Sequence, residues 1–163
     1  MMDKKKKRLL ILAAFGVLLI GAAAFSPYRL IIVSGESMSP TYHSGRLLLG
    51  RKQLFCRNIP FRRGEVVLFR HENETCLKRI YALPGDEVVI FRLDEGFNLL
   101  VQTADYIRYY RLAEEIGQAR IDRFEVPEGE LFLLGDAPQI SLDSRDFGPV
   151  PQSAVIARIP AER

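Results

Sequence analysis

The sequence predicts a mainly β domain, folded as a barrel or as packed sheets, behind one N-terminal helix that crosses a membrane. Three observations carry that expectation. A basic cluster is followed by an uncharged apolar run of membrane length. From Leu30 onward, short apolar runs alternate with turn residues, the pattern of many short strands. No later apolar run is long enough for a second crossing. The 163 residues suit one folded domain beyond the membrane segment, and 48% hydrophobic content is enough for a sizeable core.

Residues 1–8 hold the basic cluster, Lys4, Lys5, Lys6, Lys7 and Arg8. Residues 9–28 carry no charge, twenty positions between Arg8 and Arg29. As a helix they would reach about 30 Å, the thickness of a hydrocarbon core. Lysines and arginine on the N-terminal flank place that end in the cytoplasm and residues 29–163 outside. A cleaved leader is the competing reading, because Ala22-Ala23-Ala24 offers small residues at the end of the run. The run Leu9–Ala24 is long for a leader's apolar core, which favours an uncleaved anchor. Either way the domain is exported.

Strands are expected over Leu30–Val33, Leu47–Leu49, Glu65–Phe69, Thr75–Ala82, Glu87–Phe91, Leu131–Leu134 and Val155–Ile159. The turns between them include Leu83-Pro84-Gly85-Asp86 and Pro127-Glu128-Gly129. Residues 92–123 fit neither period cleanly and read as a small accessory subdomain. Within them Asn98–Gln102 allows a strand, and Ala104–Ile116 a short helix or two more strands.

Composition removes several function classes. The net charge of +3 comes largely from the N-terminal cluster, so the remainder gives no nucleic-acid signature. There is no metal-ligand spacing and no phosphate-binding glycine loop, so no metal or cofactor is expected. His43 and His71 lie in polar, turn-like surroundings and read as solvated.

Val33-Ser34-Gly35-Glu36-Ser37-Met38-Ser39-Pro40-Thr41 packs three serines into a turn after a strand. Such a serine is either a plain turn residue or a nucleophile presented to a base. Neither histidine has an obvious claim to that role, and a lysine can do the work only if its amine is neutral near pH 7 and therefore desolvated. In a strand, Cys76, Lys78, Ile80 and Ala82 share one face, and Lys78 is its only charge. Alternation alone leaves two readings of Lys78, a snorkelling surface residue or a desolvated amine.

Four segments in order resemble the type I signal peptidases, membrane-bound Ser/Lys proteases, in their single-crossing, Gram-positive-like form. They are Gly35-x-Ser37-Met38-x-Pro40-Thr41, Arg63-Gly64-Glu65-Val66-Val67-Leu68-Phe69, Leu77-Lys78-Arg79 with Leu83-Pro84-Gly85-Asp86, and Leu134-Gly135-Asp136 with Ser141-x-Asp143-Ser144-Arg145. The resemblance spans most of Val33 to Val150. It implies Ser37 as nucleophile, Lys78 as general base and then acid, and Ser141 as the partner that orients the lysine amine. The Ser37 N–H would help bind the oxyanion, and an Asp143–Arg145 ion pair would hold the Ser141 loop. Val33, Tyr42 and Leu77 fall where the family lines shallow pockets for small side chains; on their own terms all three read as core.

The same resemblance implies cleavage of signal peptides from exported preproteins, after a small residue, on the outer face of the cell membrane. The lipid bilayer, and further the secretion translocon, would be partners. Two positions depart from the pattern. Gly35 stands where some members place a serine that supplements the oxyanion hole. Ala137-Pro138 stands where the family carries Asn-Arg, which removes a side-chain amide and an N–H from that loop. Rival expectations are a processing peptidase for one client or a mitochondrial inner-membrane relative, an inactive relative that acts as a binding protein, and an exported β domain of structural role. Cys56 and Cys76 permit a disulfide or two free thiols. Asn73-Glu74-Thr75 matches a glycosylation sequon.

Overall fold

The structure is a computed structural model that describes residues 4–93, 98–101 and 119–159. Helix α1 (Lys4–Phe25) is built from leucine, alanine and isoleucine. It stops at Ser26-Pro27, because proline lacks the N–H that would continue the helix. Counted over the described residues alone, no helix is long and apolar enough to cross a membrane. The side chains at positions 4, 10, 18–20 and 22–24 of α1 lie outside that description.

Ten strands follow: β1 (Tyr28–Ile32), β2 (Leu47–Lys52), β3 (Val66–His71), β4 (Glu74–Ala82), β5 (Glu87–Leu93), β6 (Asn98–Val101), β7 (Ala119–Glu125), β8 (Glu130–Leu134), β9 (Val150–Pro151) and β10 (Val155–Ile159). They form two sheets, one of seven strands in the order β1-β2-β10-β3-β4-β8-β9, the other of three in the order β6-β5-β7. All seven expected strands are present, within a few residues at their ends. Elements that were not expected include β7, the two-residue β9, the four-residue helix α2 (Ser144–Phe147) and the single 3-10 turns Gln53–Phe55 and Gln152–Ala154. The three-stranded sheet begins at Glu87 and ends at Glu125, outside the 92–123 stretch on both sides. Of that stretch, Asn98–Val101 is a strand, and Ala104–Ile116 lies outside the described residues.

The core sits on both faces of the large sheet. Val66, Val67, Leu68 and Phe69 are all buried, so β3 is covered on both sides. Val66 and Leu68 pack with Ile31, Val33, Met38, Tyr42, Leu48 and Ile159. Val67 and Phe69 pack with Ile80, Leu131, Leu133, Val150 and Val155. A third cluster, Ala82, Val88, Ile90, Val126 and Phe132, joins the small sheet to the ends of β4 and β8. The outer face of the β1–β2 hairpin is apolar yet uncovered. Leu30 pairs with Leu49 and Ile32 with Leu47, and all four are exposed.

Candidate active site

Three segments meet at one end of β4. The first is the turn after β1. Val33 donates its N–H to the Arg46 carbonyl at 2.9 Å and accepts from Gly45 N–H at 2.9 Å, which closes a loop over residues 33–46. Within it, Ser39 N–H donates to Glu36 O and Tyr42 N–H to Met38 O, each at 2.9 Å. Met38 and Tyr42 anchor the turn by burying their side chains in the core. Ser37, immediately before the first of these anchors, is left half-buried. Its N–H and hydroxyl carry no hydrogen bond among the described residues. Gly35 holds φ +82°, a backbone angle that any side chain would strain. Its N–H donates to Ser44 Oγ at 3.3 Å.

The second segment is β4. Lys78, Ile80 and Ala82 are buried on one face, as alternation predicts, and Lys78 is only 4% exposed. Its register partner is Val67 of the buried strand β3. Of the two readings alternation left, the desolvated amine holds. Burial lowers the Lys78 pKa below the ordinary lysine value, and the nearby Asp143 carboxylate offsets that only in part. Lys78 Nζ donates to Ser141 Oγ at 2.9 Å.

The third segment runs from the end of β8 into α2. Ser141 Oγ donates in turn to Asp143 Oδ2 at 2.7 Å. Asp143 also accepts from Gly135 N–H at 3.0 Å and from Arg145 Nε at 2.8 Å. The Asp143–Arg145 pair is 0% and 8% exposed at its side chains, so it is not a solvated surface pair. Burial alone would raise the Asp143 pKa, but the bonds from Arg145, Gly135 and Ser141 hold it below the usual carboxylate range. Asp143 is also the N-cap of α2, in a reciprocal capping box with Asp146.

Ala137-Pro138 fits this loop through its backbone. Ala137 N–H donates to the Ser37 carbonyl at 3.0 Å, and Ala137 O accepts from Ser141 N–H at 3.0 Å. Pro138 O accepts from Arg145 Nη2 at 3.0 Å. None of these bonds needs the absent amide or the proline N–H.

Gly135 is where the segments touch. A Cβ there would overlap Ser141 Oγ and lie 2.5 Å from the Ser37 carbonyl oxygen. Sequence reasoning gave Gly135 no role, nor Arg79 and Asp136. Arg79 points away from Lys78 and holds Asp136 through Nε at 2.8 Å and Nη2 at 2.6 Å. Its Nη1 donates to Gly64 O at 2.8 Å. Thr41 of the first segment also bonds Asp136. Burial would raise the Asp136 pKa; the Arg79 and Thr41 bonds keep it lowered. The available signal was the position of Arg79 and Asp136 inside the quoted motifs, where they had no assigned chemistry.

The remaining candidates separate. Val33 and Tyr42 are buried in the first core cluster, and Leu77 packs against it. Cys56 and Cys76 are both free thiols. His43 is exposed and bonds Glu36 and Ser39. His71 corrects the solvated reading: it is half-buried and stacks on Phe147 with ring centroids 4.1 Å apart, because the β3 end abuts α2. No group able to hold a metal is present among the described residues.

The family model described as signal peptidase, peptidase S26, matches residues 5–161. The chain is 35% identical over 144 residues to signal peptidase I of Bacillus licheniformis, covering 84% of this chain and 75% of that one. It is 32% identical over 142 residues to signal peptidase I of Bacillus amyloliquefaciens, covering 84% and 74%. With signal peptidase IB of Staphylococcus aureus the identity is 28% over 167 residues, covering 91% and 83%. Among solved structures, a crystal structure of a signal peptidase I from Enterococcus faecalis aligns at TM-score 0.41 and 26% identity, over 62% of this chain and 97% of that one.

Proposed function

The chain belongs to the signal peptidase family, peptidase S26, and is an enzyme of signal peptidase I type; from that premise we propose that Ser37 and Lys78 form its catalytic dyad. The observation that carries the proposal is the buried Lys78 amine, held by Ser141 beside the Ser37 turn. In the proposed reaction a preprotein carbonyl docks over Ser37, and neutral Lys78 takes the Ser37 proton as Oγ attacks. The oxyanion is bound by the unengaged Ser37 N–H. Lys78 then gives its proton to the departing amine. Water, deprotonated by Lys78, hydrolyses the acyl-enzyme and frees Ser37. Ser141 keeps the lysine amine aimed, and Asp143 fixes Ser141. Val33, Tyr42 and Leu77 would line the subsites for small residues before the cut.

We further propose that α1 is an uncleaved single-pass anchor, with its basic end in the cytoplasm and the catalytic domain outside. The exposed apolar side chains Leu9, Ile11, Leu12, Phe15 and Val17 support it, since nothing among the described residues covers them. The exposed Leu30, Ile32, Leu47 and Leu49 place a second apolar surface on the strands that follow. The anchor would hold the site in the plane of substrates tethered by their own apolar segments, and the translocon would deliver them.

The test is cleavage of a preprotein in detergent by the wild type, Ser37→Ala, Lys78→Ala and Lys78→Arg, with the cut read by mass spectrometry. Wild type is expected to cut after a small residue. All three variants are expected to fold and to be inactive, Lys78→Arg because a guanidinium stays protonated. Normal turnover by Lys78→Arg would rule out lysine as the base.

A further inference from the structure

Two neighbouring grooves lie away from Ser37 and Lys78 and have no part in the proposed reaction. One, of about 480 Å³, is lined by Gln53, Leu54, Arg57, Phe61, Gln152 and Ser153 among others. The second, of about 420 Å³, shares Arg57, Phe61 and Gln152. Gln53 Oε1 is buried and has no hydrogen-bond partner among the described residues. A buried acceptor without a donor is costly, so a turn of the Gln53 side chain that brings Oε1 to the groove and to a donor from outside the chain would be favoured. Arg57 is exposed, and its guanidinium has no ion-pair partner among the described residues. The groove therefore asks for a ligand that donates a hydrogen bond and also carries negative charge.

Its position narrows the ligand further. Lys52 N–H donates to Pro27 O at 2.8 Å, and Pro27 stands two residues beyond the end of α1. Gln53–Phe55 is a single 3-10 turn that exposes Leu54 by 61% and Phe55 by 41%. Arg51, paired with Tyr28, and Arg29, paired with Gly50 on the opposite face of the β1–β2 hairpin, are both exposed. Exposed apolar side chains among cations at the foot of an apolar helix match the boundary between headgroups and acyl chains.

We propose that this groove binds the glycerophosphate headgroup of an anionic phospholipid. The phosphodiester sits on Arg57, a headgroup hydroxyl donates to Gln53 Oε1, and Leu54 and Phe55 enter the acyl region. The proposal rests on the reading of α1 as a bilayer span, which is checked separately by carbonate extraction of vesicles carrying the full chain. Release by carbonate would overturn the anchor; lipid binding in detergent is read independently of it.

The experiment titrates the full-length protein in neutral detergent with single lipids and counts bound molecules by native mass spectrometry. The probes are phosphatidylglycerol, phosphatidylmethanol (the same charge without hydroxyls), phosphatidylcholine, and glycerophosphoglycerol, the headgroup without chains. Wild type is expected to bind phosphatidylglycerol about tenfold more tightly than phosphatidylcholine, the worth of one charge-assisted hydrogen bond. Arg57→Gln, a surface change, should lose the preference for both anionic lipids. Gln53→Leu should lose only the margin of phosphatidylglycerol over phosphatidylmethanol. Cleavage of a short peptide in detergent should be unchanged in both variants, which controls for folding. Equal retention of phosphatidylglycerol and phosphatidylcholine by wild type, an unchanged anionic preference in Arg57→Gln, or an unchanged margin of phosphatidylglycerol over phosphatidylmethanol in Gln53→Leu overturns the headgroup site. Binding of glycerophosphoglycerol as tight as that of the whole lipid overturns the membrane assignment in favour of a soluble glycerophosphate.

Discussion

At the residue scale the decisive group is Lys78. Because burial depresses its pKa, neutral amine is present at a lower pH than for a solvated lysine. The proposed reaction needs that neutral form, so kcat/KM should rise with pH through the depressed pKa and level off above it. A pH–rate profile checks this, and a rate independent of pH across the neutral range would count against Lys78 as base. The same shift has a stability consequence of opposite flavour. Between the depressed pKa and the ordinary lysine value, the unfolded chain binds more protons than the folded one, so stability rises with pH there. Below that window the folded protein carries the full penalty of a buried cation. Lys78→Met should therefore be inactive yet more resistant to heat than wild type at acidic pH, with the advantage shrinking as the solution becomes alkaline. Thermal melts at several pH values read it directly. Gly135 is the complementary case. A Cβ at that position would press on Ser141 Oγ and the Ser37 carbonyl. Gly135→Ala should keep the fold, shift the two reacting segments apart, and lower kcat by about 10²-fold, the usual cost of a misplacement near 1 Å.

At the element scale, α2 matters more than its four residues suggest. Asp143 caps it, bonds Ser141 and pairs with the buried Arg145, so one carboxylate ties helix, loop and lysine partner together. Removing one partner of a buried pair leaves an uncompensated charge. Arg145→Met should lower unfolding free energy by about 3–5 kcal/mol and reduce kcat with it, as measured by urea denaturation and peptide cleavage. A loss below about 1 kcal/mol would mean that the pair behaves as a solvated one. This element was hidden in the sequence because a four-residue helix has too few positions to show a 3.6-residue period. The strands behaved otherwise. In β4, the alternation Lys78, Ile80, Ala82 could be read directly, because a period of two needs only a few residues to appear.

At the scale of the whole molecule, the exposed apolar side chains of α1 and the β1–β2 hairpin are the feature to test. A chain beginning at Ser26 should cut a short soluble peptide at close to the full-length rate. In vesicles it should lose preprotein cleavage by about 10²-fold, because substrate and enzyme no longer share a plane. Equal preprotein cleavage by both forms would remove the reason given for an anchor.

The sequence by itself determined the order and type of the main strands, the apolar N-terminal run and the family, because these are written in local periodicity and in contiguous motifs. It also marked Lys78 as a charge on an apolar face, although not whether that charge was solvated. Only the tertiary structure decided the rest. Ser141 lies 63 positions from Lys78, yet the two are hydrogen-bonded, and Arg79 meets Asp136 across 57. Ala137-Pro138 looked disruptive as letters, yet the loop bonds through main-chain groups there, which every residue supplies except for the proline N–H. Gly135 carried no signal beyond its place in a quoted motif, since the crowding that excludes a side chain comes from the approach of Ser37 and Ser141, and that approach exists only once the sheet has formed.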